Sequence, residues 1–394
     1  MKRIYLDHSA TTPVRPEVVD AMLPYLRDTF GNPGSIHRFG REARRAIDDA
    51  RDQVAALINA DPREIIFTSG GTESDNMAIR GALAALPNRR HLIVSSVEHH
   101  AVLHPAEYAH KYDGVELTTL GVDPDGRIHL EELSSAITDH TALVSIMHGN
   151  NETGAIHPVD EIAERCASRG ALYRGDTVQS IGKVAIDVSR WPVSMLAISG
   201  HKIGAPKGVG ACYVRSGVKI EAQQVGGGQE RERRAGTENV AGIVALGKAC
   251  DLARLDLAET QTRIGELRDQ LERGILENAP GAYVNGSREF RLPHIVNIGF
   301  PGADGESLVL AFDTAGVAVS SGAACTAGSL DPSHLLLAMG ASHANAQSAI
   351  RFSVGRDTTA QDITYLIGLV PAFVGRVLAK SHDPQHPAYS QNSR

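Results

Sequence analysis

The sequence predicts an α/β protein with a large domain, whose mostly parallel central sheet is covered by helices, and a smaller α/β domain. From about residue 64, short apolar stretches alternate with amphipathic ones, as in sheets that helices cover on both faces. The chain has 394 residues, which is more than one core usually holds. Three polar segments each follow a strand candidate, and ligands bind such sheets at the carboxyl ends of the strands.

The elements of the large domain are assigned in chain order. Apolar residues recur at helical spacing from Ala43 to Leu57, which predicts a first helix. Amphipathic stretches predict further helices, among them 73–86 and 159–167. The strand candidates are 64–68, 91–95, 142–147, 172–173, 193–198 and 210–214.

The smaller domain is predicted from the later part of the chain. A long helical stretch at 240–278 forms the bridge into it, and strands follow at 294–300, 317–320 and 349–354. We expect a large domain over residues 15–255 and a small domain formed by residues 1–14 and 256–380. The polar tail at 381–394 holds two prolines and shows no periodicity, so we expect it to be mobile.

Composition disfavours several classes of protein. Hydrophobic residues are 42% and charged residues 22% of the chain, as in ordinary globular proteins. The net charge of −7 argues against a nucleic-acid partner. No two of the four cysteines have a C-x-x-C spacing, so neither a disulfide framework nor a zinc ribbon is predicted. We find no signal-peptide core and no apolar run near the roughly 18 residues of a membrane span, and we expect a cytoplasmic protein without a membrane partner.

Three segments together offer the contacts that a phosphorylated pyridine aldehyde needs. Gly70-Gly71-Thr72 opens a predicted helix, and such a turn can hold a phosphate. Asp176 ends a strand candidate, where a carboxylate can keep a pyridine nitrogen protonated. Lys202 follows Ser199-Gly200-His201, and its amine can form a Schiff base with the aldehyde. Singly, these segments also fit a helix N-cap at Thr72, a surface turn and a solvated lysine; together they predict a pyridoxal 5′-phosphate (PLP) site.

Histidines follow another strand candidate. His99 is placed to stack on the cofactor ring and to move protons near neutral pH, although a packing role stays open. His100 and His104 have the i, i+4 spacing of metal ligands on a helix. No acidic or cysteine partner accompanies them at matching spacing, so a metal site is the minority interpretation.

One cysteine differs from the others in its surroundings. Cys325 lies between small residues and two glycines at 320–329, which predicts an exposed loop, whereas a free cysteine is normally buried. A thiol on a mobile loop can travel to a substrate; alternatively, it fills a gap in a tight turn. Cys166, Cys212 and Cys250 lie in helix or strand patterns, and we expect them to be structural.

The chain resembles the cysteine desulfurases, PLP enzymes of the aminotransferase class V family with fold type I, and especially the group that serves iron–sulfur cluster assembly. The likeness extends from Tyr5 to about Gly355. As a set the matching motifs are specific, whereas each alone is modest. They are 5–7 with 10–12, 32–35 with His37, 68–76, 96–102, 150–154, 176–183, 199–210, 226–239, 320–329 and 348–355.

The resemblance implies a role for each matching cofactor residue. Lys202 would hold PLP covalently and move the substrate's Cα proton, and His99 would stack on the ring and assist that transfer. Asp176 would pair with the pyridine nitrogen and Gln179 with the phenolic oxygen. The phosphate ligands implied within the chain are Gly71, Thr72, Ser199 and His201.

The remaining roles concern substrate, partner subunit and sulfur. Asn151, which would also touch the cofactor, and Arg351 would clamp the substrate carboxylate, since an arginine fork binds a carboxylate bidentately. Thr237 would reach the cofactor site of the other subunit in a homodimer. Cys325 would be the nucleophile that takes the sulfur.

The implied reaction removes sulfur from L-cysteine, giving L-alanine and a persulfide on Cys325. Acceptor proteins such as an iron–sulfur scaffold would then receive the sulfur. No resident metal is implied, although Cys325 could contact a nascent cluster transiently. The alternatives are a selenocysteine lyase, or another class V enzyme such as an aminotransferase, which would not need Cys325. A PLP-fold protein turned binding partner is disfavoured because Lys202 is present.

Three positions differ from the usual pattern of that family. Arg174 and Thr177 stand where a histidine and an alanine are usual, and the segment 230–234 is more highly charged. None of these differences removes a catalytic residue. Arg174 adds a fixed charge to the cofactor-bearing strand.

Overall fold

The computed structural model describes residues 3–321 and 331–381. The predictions on Cys325 and on the tail from residue 382 lie outside the described residues. The strands are β1 (Ile4–Tyr5), β2 (Ile65–Thr68), β3 (His91–Ser95), β4 (Glu116–Leu120), β5 (Thr141–Ser145), β6 (Leu172–Asp176), β7 (Met195–Ser199), β8 (Gly210–Val214), β9 (Tyr283–Asn285), β10 (Ile295–Gly299), β11 (Val317–Ala318), β12 (Ser320–Ser321) and β13 (Ala349–Ser353).

The helices lie between and after these strands. They are α1 (Pro16–Arg27), α2 (Arg38–Ile58), α3 (Gly71–Ala85), α4 (His100–Asp113), α5 (Leu130–Ala136), α6 (Val159–Ser168), α7 (Val240–Leu255), α8 (Leu257–Glu259), α9 (Gly265–Asn278), α10 (Gly305–Thr314), α11 (His334–Ala338), α12 (His343–Gln347) and α13 (Ala360–Ser381). The stretch predicted as one helix at 240–278 is thus divided: α7 and α8 are followed by a π-helical turn at Thr260–Ile264 before α9 begins.

A seven-stranded sheet forms the centre of the larger part, in the order β2-β8-β7-β6-β5-β3-β4. The pairs from β7 through to β4 are parallel, whereas β8 runs antiparallel to both β7 and β2. The α/β prediction with a mostly parallel central sheet is therefore confirmed. Every strand predicted between residues 64 and 214 is present, while the edge strand β4 was missed.

The second part is built on an antiparallel sheet in the order β12-β13-β10-β9. Its buried apolar cluster draws on the N-terminal segment through Ile4 and Leu6, and on the chain from Ile264 to Val377. Separate clusters fill the two faces of the seven-stranded sheet. The residue limits of the two domains stay a prediction.

The N-terminal segment joins both parts. Leu6 donates to the carbonyl of Ala318 at 2.9 Å and accepts from the Ser353 amide at 2.7 Å, so it lies within the smaller part. Further along, the Thr12 amide donates to the His201 carbonyl at 2.9 Å. Residues 4–12 therefore connect the smaller part to the turn that carries Lys202.

The expectation of no apolar run long enough to span a membrane is wrong for α13. Within the described residues, Ala360–Ala379 is the one helix that meets the length and apolarity of a span, with a mean hydropathy of 1.5. Ile363, Leu366 and Val370 on this helix are fully buried in the second core. Core helices pass the same test, and packing against α9 and α10 in the second core accounts for the apolar face.

Candidate active site

A cavity of about 320 Å³ lies at the carboxyl edge of the seven-stranded sheet. The segments that follow β2, β3, β5, β6 and β7 meet there, as expected for a parallel sheet. Nearly all the predicted site residues line this cavity. They are Gly71, Thr72, His99, Asn151, Asp176, Gln179, Ser199, His201, Lys202 and Arg351.

The glycine turn after β2 leads directly into a helix N-terminus. Gly70 precedes α3 with φ of +152° and provides no side-chain cap, so the alternative of a helix N-cap at Thr72 is wrong. A Cβ on Gly71 would approach Cγ2 of Val178 to 2.8 Å, which explains the glycine there. The backbone amides and the helix dipole together suit an anion such as a phosphate.

Lys202 ends a single 3₁₀ turn directly after β7. Its Nζ donates to the backbone carbonyls of Ser9 and Ala10, the latter at 2.8 Å. The side-chain amide of Gln179 donates to the same Ser9 carbonyl at 2.9 Å. The N-terminal segment thus fixes the lysine at the cavity wall, a contact made by backbone atoms that no sequence motif indicated.

Asp176 and His99 face the same cavity from neighbouring strand ends. Asp176 is 6% exposed and accepts a hydrogen bond from the Val178 amide at 2.8 Å. His99 caps α4, because its Nδ1 accepts from the Ala101 amide at 3.0 Å. Burial lowers the pKa of His99, while the negative charge of Asp176 raises it. With Nδ1 accepting, the neutral ring carries its proton on Nε2.

Arg351 reaches the cavity from β13. One of its terminal nitrogens donates to the Asn151 carbonyl at 2.9 Å, and the other donates to the Asp7 carboxylate at 2.8 Å. Its Nε is buried and has no hydrogen-bond partner within the described residues. The structure thus brings Arg351 and Asn151 together, as a carboxylate clamp requires, and adds Asp7 as a partner of the arginine.

The predicted metal alternative involves His100 and His104. Their ring centroids lie 4.8 Å apart, and His334 approaches His100 at the same separation. Among residues 3–321 and 331–381, no group of three or more histidine, cysteine or acidic side chains forms a metal site.

Sequence reasoning missed two buried acids at the site. Asp75, the fifth residue of α3, lines the cavity and is 1% exposed. Glu98, directly before His99, is fully buried. Its Oε1 accepts hydrogen bonds from the Ser95 hydroxyl at 2.6 Å and from the Met147 amide at 2.8 Å. The sequence does contain a signal for each acid: Glu98 directly precedes His99, and Asp75 follows Gly71 by one helical turn.

Glu98→Gln should stabilise the protein increasingly as the pH rises. Burial raises the pKa of Glu98 to about 8, so the fold favours the protonated carboxyl. The stability that the buried, protonated Glu98 contributes to the wild type is fully present below about pH 4.5 and is lost as the pH rises through 8. Thermal melting of both proteins from pH 5 to 9 measures the difference, which should grow to a few kcal/mol, on the order expected for a buried acid. The exposed Glu277→Gln is the control, and a constant difference across this range would contradict the expectation.

Comparison with known proteins identifies the family. A family model described as aminotransferase class-V matches residues 4–366. The chain belongs to the aminotransferase class V family. Proteins of this family are PLP-dependent, and the predicted resemblance is confirmed.

Relatives within the class V family share nearly the whole chain. A protein named cysteine desulfurase from Trichormus azollae is 48% identical over 381 residues, covering 97% of this chain and 95% of that protein. The solved structure described as a NifS-like protein has a TM-score of 0.90 at 34% identity, covering 95% of this chain and 100% of the other. A structure described as SspA in complex with cysteine has a TM-score of 0.79 at 34% identity, covering 90% and 99% of the two chains. Fold type I is therefore confirmed.

The residues of this class V protein fit PLP. The glycine turn, the Asp176 carboxylate and the Lys202 amine face one cavity, with the separate chemistries that phosphate, pyridine nitrogen and aldehyde need. Thr237 is exposed and is not part of the lining, and Cys325 lies outside the described residues. Their roles stay predictions.

Proposed function

We propose that this protein is a PLP-dependent cysteine desulfurase that converts L-cysteine to L-alanine and passes the sulfur to Cys325. The observation that carries the proposal is the meeting of Lys202, Asp176 and the glycine turn in one cavity. The name of its 48% identical relative and a similar fold solved with cysteine support the substrate. Incubating the PLP-loaded protein with L-cysteine and measuring alanine and sulfide tests it; neither product above background would overturn it.

PLP, when bound, supplies an electrophilic carbon for amines and an electron-withdrawing ring. Lys202 would provide the amine that holds PLP and the base that takes the proton from the substrate's Cα. The carbonyls of Ser9 and Ala10, which accept hydrogen bonds from Nζ in this structure, would hold the amine beside the site when it is not bonded to PLP. Asp176, as a carboxylate, stabilises a proton on the pyridine nitrogen.

The substrate is oriented by residues on the opposite wall. Arg351 lines the cavity beside Asn151 and would bring a positive charge to the substrate carboxylate there. His99, with its proton on Nε2, lines the same cavity and would donate that proton to a reacting group there. Holding the carboxylate and the ring at once fixes the Cα–H bond relative to Lys202.

Sulfur transfer needs a thiolate, and none of the described residues that line the cavity is a cysteine. The Cys325 sulfur would bond to the substrate's sulfur as the substrate's C–S bond breaks, leaving its electron pair with the carbon skeleton that becomes alanine. Cys166, Cys212 and Cys250 are buried, and burial raises the pKa of each thiol well above its usual value, to about 12 for Cys166 and Cys212. Cys325 is therefore the thiol assigned to this step, with acceptor proteins such as an iron–sulfur scaffold as its partners. A cytoplasmic location stays a prediction.

A homodimer is part of the proposal. Large apolar side chains are exposed on α1, on α2 and between them, and two of them, Phe30 and Phe39, stack on each other at 5.8 Å. A second copy of the chain would cover such a surface. The set comprises Leu23, Leu26, Phe30, Ile36 and Phe39.

Mixing an impaired variant with an inactive one should test whether Thr237 serves the partner's site. Thr237→Ala should weaken PLP binding, and Lys202→Ala should be inactive. In a mixed dimer, the subunit with Lys202 intact would receive Thr237 from its partner, giving one complete site. Random exchange should restore about a quarter of the wild-type sites, since half of the dimers are mixed. Sedimentation checks the dimer, and a mixture no more active than its components would place Thr237 in its own subunit's site or outside both.

A further inference from the structure

Arg174 is a fully buried arginine directly behind the cavity. It belongs to β6 and lies two residues before Asp176, so both side chains leave the same face of the sheet. One terminal nitrogen donates to the Ser145 hydroxyl at 3.2 Å, and the other donates to the carboxylate of Asp75. Both Arg174 and Asp75 are at most 1% exposed, so little solvent screens the pair.

Asp75 and Asp176 both line the cavity. Two carboxylates at one small cavity favour the charged form of any cationic group beside them. Arg174 interacts with both carboxylates. It donates a hydrogen bond to Asp75. Burial lowers the pKa of Arg174, and the negative charge of Asp176 raises it. A guanidinium keeps its charge at any pH at which the protein is folded.

We propose that Arg174 sets the charge of the cofactor site: it cancels Asp75, so that the site carries the charge of Asp176 facing the pyridine nitrogen. The inference rests on the proposed PLP site. Arg174 is a positioning residue, because it acts on the cofactor through the Asp75 carboxylate. A histidine at this position would lose its charge between about pH 5 and 8, whereas arginine holds the charge of the site constant over that range.

A purely structural pair would have a different signature. In that case the contact ties α3 to β6, and removing it changes melting temperature without changing the proton affinity of bound PLP. The charge proposal requires the proton affinity to move with the local charge. The two possibilities are therefore separated by a spectroscopic titration of the loaded protein.

The experiment compares Asp75→Asn with the double variant Asp75→Asn/Arg174→Gln. The measured quantity is the pH midpoint of the visible absorbance change of bound PLP. Asp75→Asn leaves the charge of Arg174 uncancelled, so the midpoint should fall by about half a pH unit or more. The double variant restores the net charge, and its midpoint should return to that of the wild type. Ser145→Ala, which removes one hydrogen bond of Arg174 but no charge, is the matched control and should leave the midpoint unchanged.

An unmoved midpoint in Asp75→Asn overturns the proposal, and so does a double variant that stays at the value of Asp75→Asn. If the double variant does not fold, the single variant Arg174→Gln provides the test. Removing this positive charge should leave the pH midpoint unchanged or raise it, and a lower midpoint would overturn the proposal. Loss of visible absorbance in the wild type would instead overturn the PLP site itself, so the two failures are distinguishable.

Discussion

Lys202→Ala should remove both the visible absorbance of bound PLP and all cysteine turnover. The amine is the group that the proposal assigns to covalent cofactor attachment and to proton transfer, and losing it should lower the rate at least about a thousandfold. The fold should survive, because the side chain lies at the cavity wall, where its Nζ donates to the carbonyls of Ser9 and Ala10, and is not part of a hydrophobic core. Losing these two hydrogen bonds should cost about 2 kcal/mol or less of unfolding free energy.

The lysine five residues further along the chain offers a control. Lys207 is exposed and does not line the cavity, so Lys207→Ala should keep the spectrum and the turnover. Absorbance spectra, alanine release and melting curves of both variants are compared with the wild type. Alanine release by Lys202→Ala at a rate near that of the wild type would show that the attachment site has been assigned to the wrong lysine.

Cys325→Ser should separate cofactor chemistry from sulfur transfer. Cofactor and substrate binding depend on Lys202, Asp176 and Arg351, so the variant should keep bound PLP and still change its absorbance when L-cysteine is added. Alanine release and persulfide formation should fall to background, because a hydroxyl is a poor nucleophile toward sulfur and is not ionised at neutral pH. Mass spectrometry of the protein detects the persulfide.

A buried cysteine provides the matched control for that variant. Cys166 is 0% exposed, and burial raises the pKa of its thiol to about 12, so Cys166→Ala should retain activity apart from some loss of stability. The proposal would be contradicted by unchanged alanine release in Cys325→Ser. An enzyme that does not need this thiol, such as an aminotransferase, would then be the better assignment.

The sequence predicts most of the larger part of the fold because its strands are continuous buried apolar runs. β5 and β7 are buried at every position, and such runs are visible without any structure. β4 has the sequence ELTTL and only one buried residue, so its pattern resembles that of a loop. The division of the stretch at 240–278 depends on a π-helical turn, which helical periodicity alone does not reveal.

The residues of the candidate site were also predicted only in part. Side chains with a distinctive chemistry at strand ends, such as Asp176 and Lys202, were predicted, and they line one cavity. The carbonyls of Ser9 and Ala10 were not, because backbone acceptors have no sequence signature. Asp75 was missed because its importance comes from pairing with Arg174, a contact across 99 residues of chain. The role predicted for Thr237 would depend on a second chain, which one subunit does not contain.

The N-terminal segment places a constraint on how this protein is made. Residues 4–12 leave the ribosome long before β11 is synthesised, yet Ile4 and Tyr5 pair with Val317 and Ala318 of β11. Non-local pairing of this kind is slow and cannot begin before the distant partner has been synthesised. The carbonyls that receive Lys202 are therefore positioned only when nearly the whole chain has emerged. We expect PLP to be loaded after translation, and a nascent chain that ends before β11 to expose a half-built site to the quality-control machinery of the cell.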